Sequence, residues 1–174
     1  MKSLIFLSVF SFLLTCEPTG SPVVQKAGVP GTGATLPTMD HISAQDVLDE
    51  VNALRSRGCK CPGSPYTPPV PALRWDEKLK RAAQLHADDM YYGRYFSHTG
   101  ADGSSFSDRI TRAGYRWQSA GENIAKGQPT ARAVVHAWSN SKGHCRNLMN
   151  PEFKDMGVGK TGPYWVQDFG TTEE

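Results

Sequence analysis

Apolar positions recur at helical spacing over much of residues 47–138 and at strand spacing near the end of the chain. Val47, Val51 and Leu54 fall on one helical face. Ser43-Ala44-Gln45-Asp46 has the form of a capping box and would begin this helix. Gly58 would end it. The pattern therefore predicts an amphipathic first helix over about residues 44–57.

A second helix is predicted over about Asp76–Tyr92, after a proline-rich loop at Cys59–Pro71. Leu79, Ala83 and Met90 repeat there at helical spacing, and charged or amide side chains occupy the other face. His86 falls on the apolar stripe. This position favours a packed core histidine over a ligand-binding one.

Two shorter helices and three strands complete the pattern. Ser105-x-x-Asp108 caps a third helix that ends at Gly114, and Thr130 caps a fourth that runs to about Asn140. The predicted strands are Glu122–Ala125, Met156–Lys160 and Tyr164–Phe169. Helices on a small, mostly antiparallel sheet give an α+β fold class.

The N-terminus predicts export. The apolar run Leu4–Leu14 is too short to span a bilayer stably, so residues 1–15 are predicted to be a signal peptide. Leu13-Leu14-Thr15-Cys16 is similar to a bacterial lipobox, which predicts a lipid on Cys16 and an envelope lipoprotein held at the membrane. A soluble extracellular protein cleaved a few residues later is the alternative. Residues 16–39 are rich in Gly, Pro and Thr and predict a flexible tether.

The remaining chain is long enough for one domain, assigned to residues 40–170, with an acidic tail at 171–174. The 19 Lys and Arg residues nearly balance the 17 Asp and Glu residues, and they are scattered. This distribution lacks the basic patch of a nucleic-acid-binding protein and excludes that class of partner.

Three cysteines remain if Cys16 carries lipid, and all follow the predicted export signal. In an oxidising compartment two of them are expected to pair. A Cys59–Cys61 bridge would close a very tight loop, so the prediction is a disulfide from Cys145 to Cys61 or Cys59. The rival interpretation is a thiolate metal site made by these three cysteines and His144.

Two histidines and a glutamate between them are the candidate chemistry. His98 lies in Tyr-Phe-Ser-His-Thr, Glu122 in Ala-Gly-Glu-Asn, and His144 in Gly-His-Cys-Arg-Asn. Imidazole titrates near neutral pH and is the commonest metal ligand, so the three residues are compatible with a metal or an acid–base site. Their spacing does not show whether they meet.

Taken in order, seven short motifs resemble the CAP superfamily, also called the SCP-like domain. This superfamily includes cysteine-rich secretory proteins, antigen 5, plant pathogenesis-related proteins and bacterial envelope proteins. The similarity covers about Ile42–Gly170 and is greatest to the bacterial branch. The motifs are Leu73-Arg74-Trp75-Asp76, Phe96-Ser97-His98, Gly121-Glu122-Asn123-Ile124-Ala125, Ala137-Trp138-x-x-Ser141-x-Gly143-His144, Asn147-Leu148-Met149-Asn150-Pro151, Met156-Gly157-Val158-Gly159 and Tyr164-Trp165-Val166-Gln167-Asp168-Phe169-Gly170.

The resemblance implies an α-β-α sandwich with a groove that brings the two histidines together. His98 and His144 match the histidine positions of the family, and Glu122 matches its first glutamate. The position of the second glutamate is Ser141 in this chain. The implied groove therefore has one carboxylate fewer, which leaves two imidazoles and Glu122 to hold zinc or another divalent cation.

Three functions are compatible with such a groove. The first is a non-enzymatic binding protein with a lipid, metal or envelope-protein ligand, since the superfamily has no single activity. The second is a zinc-assisted hydrolase in which Glu122 acts as the general base. The third is a purely structural His/Glu network. A nucleophilic Ser141 activated by His144 would lack both a third orienting group and an elbow motif.

Overall fold

The computed structural model describes residues 44–172. The predicted signal peptide, the tether with Cys16, and Ser43 of the capping box lie outside these residues. In the described part, no helix combines the length and apolar character needed to cross a membrane. The helices are α1 (Ala44–Arg57), α2 (Glu77–Gly93), α3 (Phe106–Arg112), α4 (Ala131–Ser139) and α5 (Lys142–Leu148). The strands are β1 (Cys59–Lys60), β2 (Tyr66–Thr67), β3 (Arg74–Trp75), β4 (Trp117–Lys126), β5 (Asp155–Thr161) and β6 (Tyr164–Thr172).

A four-stranded sheet in the order β3-β5-β6-β4 forms the middle layer. β5, β6 and β4 pair antiparallel, whereas the short β3 pairs parallel to β5. Helices α2 and α3 cover one face, and α1, α4 and α5 cover the other. This arrangement confirms the α+β fold class and the α-β-α sandwich. β4 is an edge strand of this sheet.

The four predicted helices are present, and side-chain caps fix the start of three of them. Asp76 accepts hydrogen bonds from the first turn of α2, and Thr130 accepts one from Ala133 at α4. Ser105 and Asp108 form a reciprocal capping box at α3. Each cap satisfies backbone N–H groups that have no partner inside the helix, so the chain enters the helix at a defined residue.

Several elements differ from the predicted ones. The segment Cys59–Pro71, predicted to be a loop, contains the β1–β2 hairpin, and α5 was not predicted. α5 is short, contains Gly143, and lacks a side-chain cap, since Ser141 makes none. β4 begins at Trp117, five residues before the predicted start. The sequence did not show this extension because residues 117–120 are half-buried or exposed and have no clear alternation. β6 continues through Thr172, which includes two residues of the predicted tail.

Two glycines on β5 let α2 lie directly against the sheet. A Cβ at Gly157 would stand 2.0 Å from the backbone nitrogen of Lys80, and one at Gly159 would stand 2.3 Å from Cα of Gln84. No side chain fits in these spaces. The helix axis is therefore held by backbone contact, and with it the segment after α2 that carries His98.

Candidate functional site

A cleft of about 860 Å³ runs between the β1–β2 hairpin and α5. A volume in this range is typical of ligand sites in proteins. The residues at its two walls and its base include Tyr66, Pro68, His98, Glu122, His144 and Asn147. The fold thus places His98, Glu122 and His144 around one cavity, although they come from a loop, an edge strand and a helix. Ser141 is absent from the described residues that line this cleft.

Glu122 is buried at the base of the cleft and uses both carboxylate oxygens. Nδ1 of His98 lies 2.7 Å from Oε1, and Nη2 of Arg109 lies 2.7 Å from Oε2. The Glu122 side chain is 1% exposed, whereas the His98 side chain is 51% exposed. A carboxylate only accepts, so Nδ1 of His98 is the donor, and in the neutral form of the ring Nε2 carries the lone pair. The buried acid therefore fixes the ring orientation and the tautomer of an exposed histidine.

Arg109 was not predicted from the sequence. Besides Glu122, its guanidinium donates to the backbone carbonyls of Ser104 at 2.9 Å and His98 at 3.0 Å. It thus fastens the loop that carries His98 to the carboxylate that orients the ring. The sequence did hold a signal, because Arg109 lies three residues after Phe106 and four before Ala113 on the apolar stripe of α3.

His144 is half-buried on α5, on the other side of the cleft. Burial lowers the pKa of its imidazole, and the nearby charge of His98 lowers that pKa further. At neutral pH the ring is therefore uncharged and has a lone pair to offer.

Amide side chains join α5 to β4. Asn147 donates to the carbonyl of Glu122 at 3.1 Å and to Oδ1 of Asn123 at 2.9 Å. Asn123 in turn donates to the carbonyl of His144 at 3.4 Å. These bonds hold the helix that carries His144 against the strand that carries Glu122.

Arg55 of α1 supports the end of α5 and the segment that follows it. Its guanidinium donates to the carbonyls of Leu148 at 2.7 Å and Asn150 at 3.0 Å, and it is fully buried. Burial lowers its pKa to about 10, so it stays charged at neutral pH. A cation here also complements the negative end of a helix dipole. The role of this residue was not predicted from the sequence.

The disulfide connects Cys61 to Cys145, across 84 residues. Cys61 lies in the hairpin segment and Cys145 lies on α5, so the bond ties one wall of the cleft to the other. The structure thereby selects one of the two pairings that the sequence left open.

Asp168 is a buried carboxyl group behind the site. It pairs with Glu122 across β4 and β6, and neither of its oxygens has a hydrogen-bond partner among the described residues. Burial raises its pKa well above the ordinary value, and the charge of Glu122 raises it further. The group therefore favours the protonated, neutral form. No sequence pattern separates Asp168 from its buried neighbours on β6.

His98 and His144 line the same cleft, so their imidazoles are the candidate ligands for a divalent metal. Among the described residues, the group of three ligating side chains with atoms within 4.8 Å of one another is Cys59, Cys61 and Cys145, not these two histidines with Glu122. His98 offers Nε2 because its other nitrogen is bonded to Glu122, and His144 is neutral at physiological pH. A carboxylate bound to the second nitrogen of a ligating histidine is a common outer-shell arrangement. Each oxygen of Glu122 already accepts one hydrogen bond, and its side chain is 1% exposed. All three residues predicted as metal ligands line this cleft, and Glu122 orients His98 within it.

Comparison with known proteins places the fold in a family. The sequence profile described as "CAP: Cysteine-rich secretory protein family" matches residues 48–169. The uncharacterized protein YkwD of Bacillus subtilis (strain 168) is 42% identical over 99 residues, which are 56% of this chain and 38% of that protein. The uncharacterized membrane protein YlbC of the same strain is 32% identical over 127 residues, which are 73% of this chain and 34% of that protein. The chain thus spans little more than a third of either curated relative.

Solved structures with the same fold include SCP-domain proteins. An extracellular protein containing a SCP domain from Bacillus anthracis str. Ames superposes with a TM-score of 0.68 and 32% identity, over 82% of this chain and 45% of that one. An outer surface protein from Borrelia burgdorferi superposes with a TM-score of 0.63 and 23% identity, over 74% of this chain and 92% of that one. The second match shows the fold alone. With a family profile over most of its length, the chain belongs to the CAP, or cysteine-rich secretory protein, family.

Proposed function

We propose that this protein is an exported binding protein whose cleft holds its ligand through His98 and His144. A divalent metal ion such as Zn²⁺ is the ligand that two neutral imidazoles fit best. The observation that carries the proposal is the Glu122–His98 bond. In this bond the buried carboxylate of Glu122 orients the solvent-accessible imidazole of His98. Packing of the core does not require such an arrangement.

Hydrolysis with Glu122 as general base is not favoured by this geometry. A general base must reach the proton that it removes, directly or through one water. Both oxygens of Glu122 are bonded to His98 and Arg109, and the side chain is buried. The same acid is better placed to position His98 than to activate water.

Export is the second part of the proposal. The relative from Bacillus anthracis is described as extracellular. The start of this chain has the sequence of a signal peptide followed by Cys16.

If Cys16 carries lipid, the change Cys16→Ser should move the protein from the membrane fraction to the medium. Retention of the variant in the membrane fraction would reject lipid anchoring. Export would then be tested separately, by measuring whether residues 1–15 are cleaved.

Zinc titration by calorimetry tests the cleft. The purified protein is expected to bind one Zn²⁺, and the double variant His98→Ala/His144→Ala is expected to lose this binding while keeping a cooperative melt. His136→Ala is the matched control, because His136 is exposed on α4 and bonds to Asn140. Equal binding by parent and double variant would reject the site. A double variant that no longer melts cooperatively would instead favour the structural role of the network.

A further inference from the structure

Three cysteine sulfurs lie together beneath the cleft. The ligand atoms of Cys59, Cys61 and Cys145 are all within 4.8 Å of one another, and all three side chains are buried. Cys61 and Cys145 form the disulfide, and the thiol of Cys59 lies with its sulfur 3.6 Å from that of Cys145. A thiol thus contacts a disulfide sulfur. Because all three sulfurs lie within 4.8 Å of one another, the thiol is not in line with the disulfide bond, and exchange requires the hairpin segment to move.

The three residues differ in what surrounds them. Cys61 lines the cleft, whereas Cys59 and Cys145 are absent from the described residues that line it. Cys145 directly follows His144 in α5. A thiol on Cys61 would therefore face the same cavity as the two imidazoles, and a thiol on Cys59 stays in the core.

We propose that the three cysteines form a thiol–disulfide exchange site that presents Cys61 as a reactive thiol in the wall of the cleft. Cys59 loses its proton, and its thiolate attacks Sγ of Cys145. The Cys59–Cys145 bond forms as the Cys61–Cys145 bond breaks. Cys61 leaves as a thiolate and takes up a proton. No electrons enter or leave, so the step needs no oxidant or reductant.

The new disulfide keeps the fold closed while the cleft gains a nucleophile. Cys59 and Cys61 both belong to the hairpin segment, so either bond ties this segment to α5. Once the hairpin opens, the Cys61 thiol in the wall of the cleft is a modification site for soft electrophiles, including small disulfides that would form a mixed disulfide with Cys61 and release one thiol.

Local opening of the hairpin supplies the route. β1 and β2 have two residues each and pair only with each other among the described strands. Elements of this size open at a lower free energy than the central sheet. Cys59 is buried in the closed form, so exchange is expected to be slow and to follow hairpin opening.

Labelling with N-ethylmaleimide tests the proposal on the full oxidised protein. The protein is labelled under native conditions, quenched in acid and then digested with trypsin without reduction. Lys60 separates the two hairpin cysteines, so each cysteine has its own peptide. These peptides are residues 58–60, 61–74 and 143–146.

The expected result is label on Cys61 together with a linked pair of peptides joining Cys59 to Cys145. In Cys59→Ser the attacking thiol is missing, and label on Cys61 should fall to background. Label on Cys59 alone, or no label with Cys61 still bonded to Cys145, would overturn the proposal.

Cys61→Ser provides a second measurement that does not depend on hairpin opening in the parent. The exchange geometry predicts that Cys59 and Cys145 then form a disulfide in the folded protein. If both remain thiols after air oxidation of a variant that still melts cooperatively, the exchange site does not exist. Zinc binding plays no part in either readout, so the outcome is separate from that of the proposed function.

Discussion

Arg109 and Glu122 form a buried ion pair, with Nη2 2.7 Å from Oε2 and side chains that are 9% and 1% exposed. The pair connects α3 to the edge strand β4, directly behind His98. Breaking such a pair leaves one charge buried without compensation, which costs far more than the pair contributes in net stability. The site and the fold therefore depend on the same contact.

Replacing Arg109 by Met should destabilise the protein by about 3–5 kcal/mol, because it leaves the Glu122 carboxylate buried without its cation. Urea unfolding measures this loss. Arg112→Met is the matched control on the same helix, since Arg112 pairs with Asp102 at the surface and such exposed pairs contribute about 0–1 kcal/mol. Equal losses in the two variants would show that burial of the Arg109 pair is unimportant.

Glu122→Gln should weaken zinc binding by about 10–100-fold, the usual effect of losing the carboxylate behind a ligating histidine. The amide has one oxygen, which Arg109 holds, so its N–H₂ group turns toward Nδ1 of His98. The imidazole must then carry its proton on Nε2, where it cannot bind a metal. Calorimetry with Glu77→Gln as the exposed control measures the change. Unaltered affinity in Glu122→Gln would remove the carboxylate from the site.

The pKa of His144 is lowered on folding, so the unfolded chain binds more protons than the folded one below its ordinary pKa of about 6.5. By linkage, the contribution of this residue to stability is lost as pH falls through that value. When the pH is lowered from about 7.5 to about 5.5, the His144→Gln variant should therefore lose less unfolding free energy than the parent. Urea unfolding of both proteins at the two pH values gives the difference. An identical loss in parent and variant would contradict the lowered pKa.

The contribution of Asp168 to stability should depend on pH in the opposite direction from that of His144. Its raised pKa means that the folded state holds a proton that the unfolded state has released above about pH 4, so its contribution falls as pH rises. Asp168→Asn removes the ionisable group at nearly constant shape. The stability of the variant relative to the parent is expected to increase steadily from about pH 5 to about pH 8. A difference that does not change with pH would mean that the carboxyl group does not titrate in this range.

Much of the fold follows from local patterns, and the site follows only in part. The helix with Leu79, Ala83 and Met90 was predictable because its apolar spacing and its Asp76 cap agree. His98 and Glu122 were found through motifs, and the fold was needed to show that they touch. The position of Arg109 on the apolar stripe of α3 indicates burial, but the sequence does not show that Glu122 is its partner.

The cysteine pairing shows a different limit. Cys59 and Cys61 lie two residues apart, and both sulfurs reach the neighbourhood of Cys145. No rule of spacing separates them, because the choice depends on which side of the β1–β2 hairpin faces α5. The same ambiguity gives the exchange proposal its chemical basis.

Gly157 and Gly159 have a consequence well beyond their own strand. At a backbone-to-backbone contact no side chain can change rotamer to make room, so β5 fixes how closely α2 can approach the sheet. Any residue with a Cβ there must displace the whole helix, and the loop beyond its C-terminal end would move with it. The reach of His98 into the cleft is thus set by two positions that contribute no side-chain atom and belong to a strand that does not pair with β4.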